Sequence, residues 1–271
     1  MFRRSGYRFA DKNVRQAKTA SLDTTEDAVL GGRLVLRQPR HGHRFGHDAI
    51  LLAASTAAKA GEHAVDFGAG VGAAGLALAT RVAGLAVALL EIDPALAALA
   101  DENISRNGFA GRVRAVILDV TAGARTFMAV GLPPGSAARV LMNPPFHDPS
   151  TSRASPDPAR RRAHLSAGIA PWLRSAQRLL GTGGTVTLIW RADGLADLLA
   201  ALAPDFGAMT VQPVHPKPDA LAIRVLVRAV KGSRAPLAVL PGLVLAGADG
   251  RPSAEAEAVL RHGGALPLAG L

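Results

Sequence analysis

Apolar and polar positions along this chain follow a repeating alternation. From residue 63 onward, short apolar runs bounded by glycine or proline alternate with stretches whose apolar residues recur every three to four positions. HAVDFG, AVALLEID, RVRAVILDV, ARVLMN and TVTLIW are near-continuous apolar runs, the pattern of strands buried on both faces. AAGLALATRVA, PALAALADENISRNG, IAPWLRSAQRLLGTGG and GLADLLAAL carry helical spacing. The second of these opens on Pro94 and closes at Asn107-Gly108, and the third stops at a glycine cluster. AIRVLVRAV and LAVLPGLVLA are β-type runs late in the chain. Strands and helices alternating through short loops predict an α/β fold with a mostly parallel seven-stranded sheet covered by helices on both faces.

Upstream of this core, RLVLRQPRHGHRF alternates like a strand or hairpin with Gly42 in a turn, and HDAILLAASTAA has the spacing of a helix. Residues 1–28 read as a basic, flexible arm ending in the acidic patch DTTED. The expected organisation is that arm followed by one domain over 29–271. Within the domain, 29–60 form a hairpin-and-helix cap and 61–271 the core.

Composition then narrows the function. Apolar residues make up 49% of the chain and aromatics only 4%, so the core must be built from Ala, Val and Leu. A formal net charge of +10 points to an anionic partner, with nucleic acid ahead of a membrane surface. An Arg- and Ala-rich compositional bias is the competing explanation. The absence of cysteine excludes disulfides, Cys-ligated zinc and any chemistry through a thiol adduct. No metal-ligating set is read. The N-terminus lacks a continuous apolar segment, and APLAVLPGLVLAGA is too short to span a bilayer and contains two prolines. A cytoplasmic protein with no membrane and no obligate protein partner is expected.

The loop VDFGAGVGAAG places Gly68, Gly70, Gly72 and Gly75 directly after a strand. Glycines let the backbone turn sharply and approach a ligand, with helix N-terminal amides facing it. Gly70-x-Gly72-x-x-Gly75 matches the dinucleotide fingerprint, with Glu91 about where an acid grips ribose, so NAD binding by an oxidoreductase is one reading. A second rests on Asp66, which precedes the glycines. Asp66-x-Gly68-x-Gly70-x-Gly72 resembles the first motif of the Rossmann-like class I S-adenosylmethionine-dependent methyltransferases. That resemblance implies that the loop wraps the methionine and ribose part of the cofactor, that Glu91 holds the ribose hydroxyls, and that Asp119 lies beside the adenine amino group. A helix cap is the plainer role for Asp119. The three acids stand at successive strand ends, where open α/β sheets form their ligand crevice.

A fourth strand end carries Asn143-Pro144-Pro145-Phe146. An exocyclic amine on a purine is a poor nucleophile because its lone pair is delocalised into the ring. Two acceptors on its hydrogens, the Asn143 side-chain oxygen and the Pro144 carbonyl, would draw the nitrogen toward tetrahedral geometry. The prolines fix the backbone and remove competing N–H groups, and Phe146 offers a stacking face for the base. The tetrad resembles the (Asn/Asp)-Pro-Pro-(Tyr/Phe) motif of the amino-methylating branch of those methyltransferases. That resemblance implies Asn143 to Phe146 as catalytic residues, with Asn143 also facing the cofactor.

The branch includes adenine-N6, guanine-N2, cytosine-N4 and protein glutamine-N5 methyltransferases. Gln38-Pro39, Gly42, Arg44-Phe45-Gly46 and Asp48-Ala49 resemble the N-terminal signature of the bacterial tRNA (adenine-N6)-methyltransferase group that modifies a valine tRNA in its anticodon loop. VHPKPDALAIRVLVRAVKG resembles the same group's C-terminal strand region, so the likeness covers residues 24 to 260. It implies S-adenosylmethionine as cofactor and tRNA as substrate. Phe146 stands where many members have tyrosine, and Phe-His also occurs in guanine-N2 rRNA enzymes, which keeps guanine N2 and protein glutamine open as acceptors. DPSTSRASPDPARRRAHLS reads as a loop over the site, and Arg160, Arg161, Arg162, His164 and Arg44 are candidate RNA contacts. His147 reads as a loop residue and not a general base. Arg3, Arg4, Arg8, Lys12, Arg15 and Lys18 form one further basic cluster, and Lys217, Arg224, Arg228, Lys231 and Arg234 another; each could equally be solubilising surface. A catalytically dead RNA-binding module is the remaining alternative.

Overall fold

A computed structural model describes residues 23–42, 44–145 and 158–271, with residues 158–167 given by their helical backbone alone. In chain order the elements are β1 (Thr24–Val29), β2 (Leu34–Pro39), α1 (His47–Ser55), β3 (His63–Phe67), α2 (Ala73–Arg81), β4 (Ala86–Glu91), α3 (Pro94–Arg106) and β5 (Val113–Ile117). They continue with α4 (Ala124–Ala129), β6 (Ala137–Met142), α5 (Pro158–Leu179), β7 (Leu180–Arg191), α6 (Leu195–Leu202), β8 (Phe206–His215), β9 (Arg224–Lys231), β10 (Ala238–Val239), β11 (Leu243–Val244) and α7 (Ala254–Leu260).

Seven long strands form one sheet in the order β8-β9-β7-β6-β3-β4-β5, and β9 alone of these runs antiparallel to its neighbours. The two-residue strands β10 and β11 add to the β8 edge. Because side chains on a strand alternate between faces, the sheet divides its apolar residues between two cores. On one face Leu89, Leu141, Ile189 and Leu226 pack with α1, α2 and α3 residues such as Leu52, Leu76 and Ile104. On the other, Phe67, Leu90, Met142 and Leu188 pack with Phe127 of α4, Leu173 of α5 and Leu198 of α6. The expected parallel sheet covered on both faces is present. No helix among the described residues is long and apolar enough to cross a membrane.

Several sequence expectations are corrected. The seventh long strand is β8, over FGAMTVQPVH, whereas LAVLPGLVLA contributes only β10 and β11. Gly207, Pro213 and the polar Thr210 and Gln212 hide the apolar run of β8 from a periodicity reading. The N-terminal hairpin pairs β2 with β1, so residues 24–28 belong to it and not to the arm. Its turn is at Leu30–Gly32, upstream of Gly42, which sits in the bend that follows β2. Residues 158–166 of the expected loop lie in α5, whose Pro158 is pre-organised for a helix start and whose Ala- and Arg-rich run has high helix propensity. The glycines read as a stop after α5 lie within β7.

Candidate active site

The C-terminal ends of β3, β4, β5 and β6 converge on one rim, because parallel pairing aligns all four strands. A cleft of about 680 Å3 opens there. Its walls include Asp66, Gly68, Gly70, Glu91, Asp119, Asn143, Pro144 and Pro145, and Arg44 lines it from the N-terminal side. Four separated sequence motifs thus meet at one site. Gly72 does not line the cleft. It caps α2 with φ +88°, and a Cβ there would lie 2.8 Å from Leu89.

Asp66 is buried, and its Oδ2 accepts the Gly75 N–H at 2.8 Å. The carboxylate therefore serves the first turn of α2, whose N-cap glycine has no side chain to do so. In a dinucleotide-binding loop that helix N-terminus faces pyrophosphate. Here the Asp66 side chain already takes the Gly75 N–H of that turn, leaving one fewer donor for a phosphate. The NAD reading is disfavoured on that ground.

Burial pushes the Asp66 carboxyl up from an ordinary 3.8 to about 7; the Gly75 N–H opposes the rise and the nearby Glu91 charge adds to it. Between these pH values the folded state keeps a proton that the unfolded chain has released, so this group's contribution to stability is fully present below pH 3.8 and lost as pH rises through about 7. Denaturant titrations at pH 5 and pH 8 are expected to show a loss of up to roughly 3 kcal/mol in the wild type that Asp66→Asn lacks. Equal pH dependence in the two proteins would show that burial does not raise this carboxyl.

Glu91 accepts the Gly70 N–H at 2.7 Å on Oε2 and the Asp93 N–H at 2.9 Å on Oε1. It pins the glycine loop to the end of β4 and keeps a second lone pair on each oxygen for a ligand. Asp119 is exposed, and its Oδ1 accepts both the backbone N–H and the hydroxyl of Thr121, at 2.8 and 2.7 Å. Asp119 thus caps its own turn and not a helix, since the N-cap of α4 is Gly123, and it also lines the cleft. The Asn143 amide oxygen is buried and has no hydrogen-bond donor among the described residues. Such an orphan acceptor is costly and rare.

Gly68 has φ +65°, and a Cβ on it would stand 2.7 Å from the Trp172 ring. Trp172, from α5, lines the cleft and meets Phe67 edge-on at 6.4 Å. It was not singled out from the sequence. Ile92, Leu96 and Leu118 form an apolar wall between Glu91 and Asp119, and Ile92 is 62% exposed. An exposed isoleucine directly after an acid at a strand end was the available signal.

The Gln38 to Asp48 segment organises the other wall. Gln38 is buried, donates to Asp27 at 2.7 Å and accepts the Phe45 N–H at 3.1 Å. Hydrogen bonds, with that from Gln38 first, hold the Asp27 carboxyl below its usual range. Arg44 donates to Thr25, Asp27 and the Pro39 carbonyl. Its guanidinium braces the hairpin at the cleft edge, where an RNA contact had been expected. Asp48 pairs with Arg224 at 2.9 Å, and both line the cleft.

The basic cluster from Lys217 to Arg234 is not one free surface. Arg224 is paired at the rim, Arg228 is partly buried, and Lys231 donates to the Leu180 carbonyl at the opposite end of the strand. Lys217 and Arg234 are exposed, also at opposite ends. Phe146, His147 and the arm cluster from Arg3 to Lys18 lie outside the described residues. Arg160, Arg161, Arg162 and His164 fall in the first turns of α5.

The fold is that of the Rossmann-like class I methyltransferases. A protein from Agrobacterium tumefaciens, described as a predicted O-methyltransferase, superposes with a TM-score of 0.68 at 30% identity, covering 81% of this chain and 98% of that one. Two curated relatives are each described as a tRNA1(Val) (adenine(37)-N6)-methyltransferase. The one from Bacteroides fragilis is 28% identical over 148 residues, 54% of this chain and 59% of the relative. The one from Tolumonas auensis is 29% identical over 155 residues, 56% of this chain and 61% of the relative. The chain spans about three fifths of the length of these relatives. A family model described as the methyltransferase small domain matches residues 45–212. That span takes in Asp66, Glu91, Asp119 and Asn143 and every strand of the rim they share, and the chain belongs to the methyltransferase small domain family.

Proposed function

We propose that this protein transfers a methyl group from S-adenosylmethionine to an exocyclic amino group of a nucleobase, adenine N6 in a tRNA. The observation that carries the reading is the buried Asn143 amide oxygen, an acceptor without a donor among the described residues, at the end of β6 and followed by two prolines on the wall of the cleft. The site fits the cofactor. Its volume of about 680 Å3 lies within the roughly 300–1,000 Å3 of small-molecule sites. Gly68 and Gly70, at φ +65° and +56°, present backbone without side chains to it. Glu91 would hold the ribose hydroxyls, Ile92 and Leu118 the adenine ring, and Asp119 its amino group. Asp66 supports the loop from behind through Gly75.

Bound there, S-adenosylmethionine supplies an electrophilic methyl group. Asn143 Oδ1 and the Pro144 carbonyl would accept the two hydrogens of the target amine, orienting its lone pair. Phe146 would stack on the base. The methylated amine sheds its proton readily to water, so no strong base is required. The relatives named for a tRNA adenine support the acceptor.

Mass spectrometry of nucleosides from cellular tRNA, with and without this protein, tests the reading. Loss of N6-methyladenosine is expected. Loss of a methylated guanosine instead, or label transferred from the cofactor to protein glutamine, would replace the adenine assignment. Electrostatics gives a second test. The arm carries Arg3, Arg4, Arg8, Lys12, Arg15 and Lys18, so deleting residues 1–22 is expected to flatten the salt dependence of tRNA binding. For every phosphate that the arm neutralises, the deletion should reduce the log–log slope by about 0.7–0.9. An unchanged slope between 50 and 200 mM salt, about the range over which such charge pairing dominates, would make the arm a solubilising tail.

A further inference from the structure

Asn103 of α3 and Asn107, which caps the C-terminus of that helix, take the place of a strand. Asn103 Oδ1 accepts the Arg37 N–H at 2.8 Å, and its Nδ2 donates to the Arg37 carbonyl at 3.0 Å. One turn on, Asn107 Oδ1 accepts the Val35 N–H at 3.0 Å, and its Nδ2 donates to the Val35 carbonyl at 2.8 Å. Each side-chain amide thus presents to β2 the donor and acceptor of a peptide group. The match is geometric: positions i and i+4 on a helix are about 5–6 Å apart, and residues i and i+2 of a strand about 6.6 Å. The outer edge of β2 is closed by side chains in place of a third strand.

Asn103 does one thing more. It is fully buried, and the second hydrogen of its Nδ2 donates to the Val71 carbonyl at 3.0 Å. Val71 lies between Gly70 and Gly72, both at positive φ, in the loop that lines the cleft. The loop is already tied to β4 by the Gly70 bond to Glu91 and by the Ala69 N–H to the Leu90 carbonyl at 2.9 Å. The Val71–Gly72 peptide is held within the loop by its own N–H, which donates to the Ala69 carbonyl at 2.8 Å, and is tied to the body of the protein by Asn103. The same side chain holds β2, whose Gln38 in turn orients Phe45 in the facing wall. Hairpin, α3 and glycine loop meet at one amide group.

We infer that Asn103 is a positioning residue for the glycine loop, through which the N-terminal hairpin sets the loop's readiness to bind the cofactor. This rests on the reading of the loop as an S-adenosylmethionine site, and Asn107 supplies a built-in control. Asn107 makes the same hairpin contacts without touching the loop, its remaining bond going to the Asn103 carbonyl. Asn103→Ser and Asn107→Ser are therefore expected to lower the melting temperature alike. Only Asn103→Ser should accelerate amide hydrogen exchange across residues 68–73 of the ligand-free protein and weaken S-adenosylhomocysteine binding, by about five- to tenfold for one buried hydrogen bond. Equal effects of the two substitutions on loop exchange and on affinity would overturn the inference and leave Asn103 as plain scaffolding.

Should Asn103→Ser fail to fold, the wild type decides. On adding S-adenosylhomocysteine, the side-chain amide resonances of Asn103 are expected to shift and those of Asn107 to stay. If the loop resonances shift and those of Asn103 do not, the inference falls while the cofactor reading stands. If S-adenosylhomocysteine shifts no resonance at all, the cofactor reading falls, and the positioning role is then judged by whether Asn103 exchanges as slowly as the loop backbone it holds.

Discussion

Replacing Asn143 with alanine is expected to cut methyl transfer by about 10²–10³-fold or more while leaving S-adenosylhomocysteine affinity within about twofold of wild type. The scale is that of losing one preorganised polar contact in a water-excluded site. The loss should be larger if the amine cannot be held by the Pro144 carbonyl alone. Single-turnover transfer to tRNA, beside calorimetry with the cofactor product, separates the two quantities. Stability supplies an independent check. The Asn143 oxygen is buried without a donor among the described residues, so the alanine variant is expected to melt no lower than wild type. Asn143→Asp retains an acceptor at the same place and should lose less activity than alanine. Full transfer by Asn143→Ala would sink the proposed mechanism, and a collapse in its stability would mean that the side chain has a structural partner.

Gly68→Ala carries the largest expected effect on the cofactor half of the site. Its backbone is at φ +65°, where an L side chain costs roughly 1–2 kcal/mol, and the new Cβ would lie 2.7 Å from the Trp172 ring. The loop and the indole cannot both keep their places. Trp172 is only partly buried and packs on Phe67, so the expected relief is an outward movement of the ring with about 1–3 kcal/mol of overpacking cost. The variant should lose about 2–5 kcal/mol of stability, alter tryptophan fluorescence, and bind S-adenosylhomocysteine at least about tenfold more weakly. Gly70→Ala is the matched control. It shares the positive φ but has nothing within 4 Å of its Cβ direction, so backbone strain acts there without the clash. Equal losses in the two variants would show that the indole contact is immaterial.

The apolar runs of β3, β4, β6 and β7, with α2, α3 and the latter part of α5, were legible in the amino-acid sequence, whereas the short α4 between β5 and β6 was not. A strand buried on both faces cannot tolerate polar interruption, and the helices must offer those faces an apolar stripe. Asp66, Glu91, Asp119 and Asn143 were legible as a set for the same reason. Each closes such a strand, and parallel pairing brings all the strand ends to one rim.

Local pattern could not reveal side chains whose role is defined by partners far along the chain. β8 was obscured by Pro213 and its polar neighbours, because an edge-side strand need not be a clean apolar run. TTEDAV looked like the end of an arm until β2 paired with it. Arg44 read as a candidate RNA contact, and only the structure shows that three of its donors brace Thr25, Asp27 and Pro39. Trp172 and Arg224, distant in sequence from the glycine loop, became cleft walls only when α5 and β9 were packed onto the sheet. Asn103 and Asn107 looked like the polar end of a helix, yet 66 to 72 residues separate them from the strand they complete. Sequence alone settled which residues end the strands, since burial dictates composition there. Tertiary structure decided which polar atoms have partners, since a hydrogen bond is a matter of distance in space.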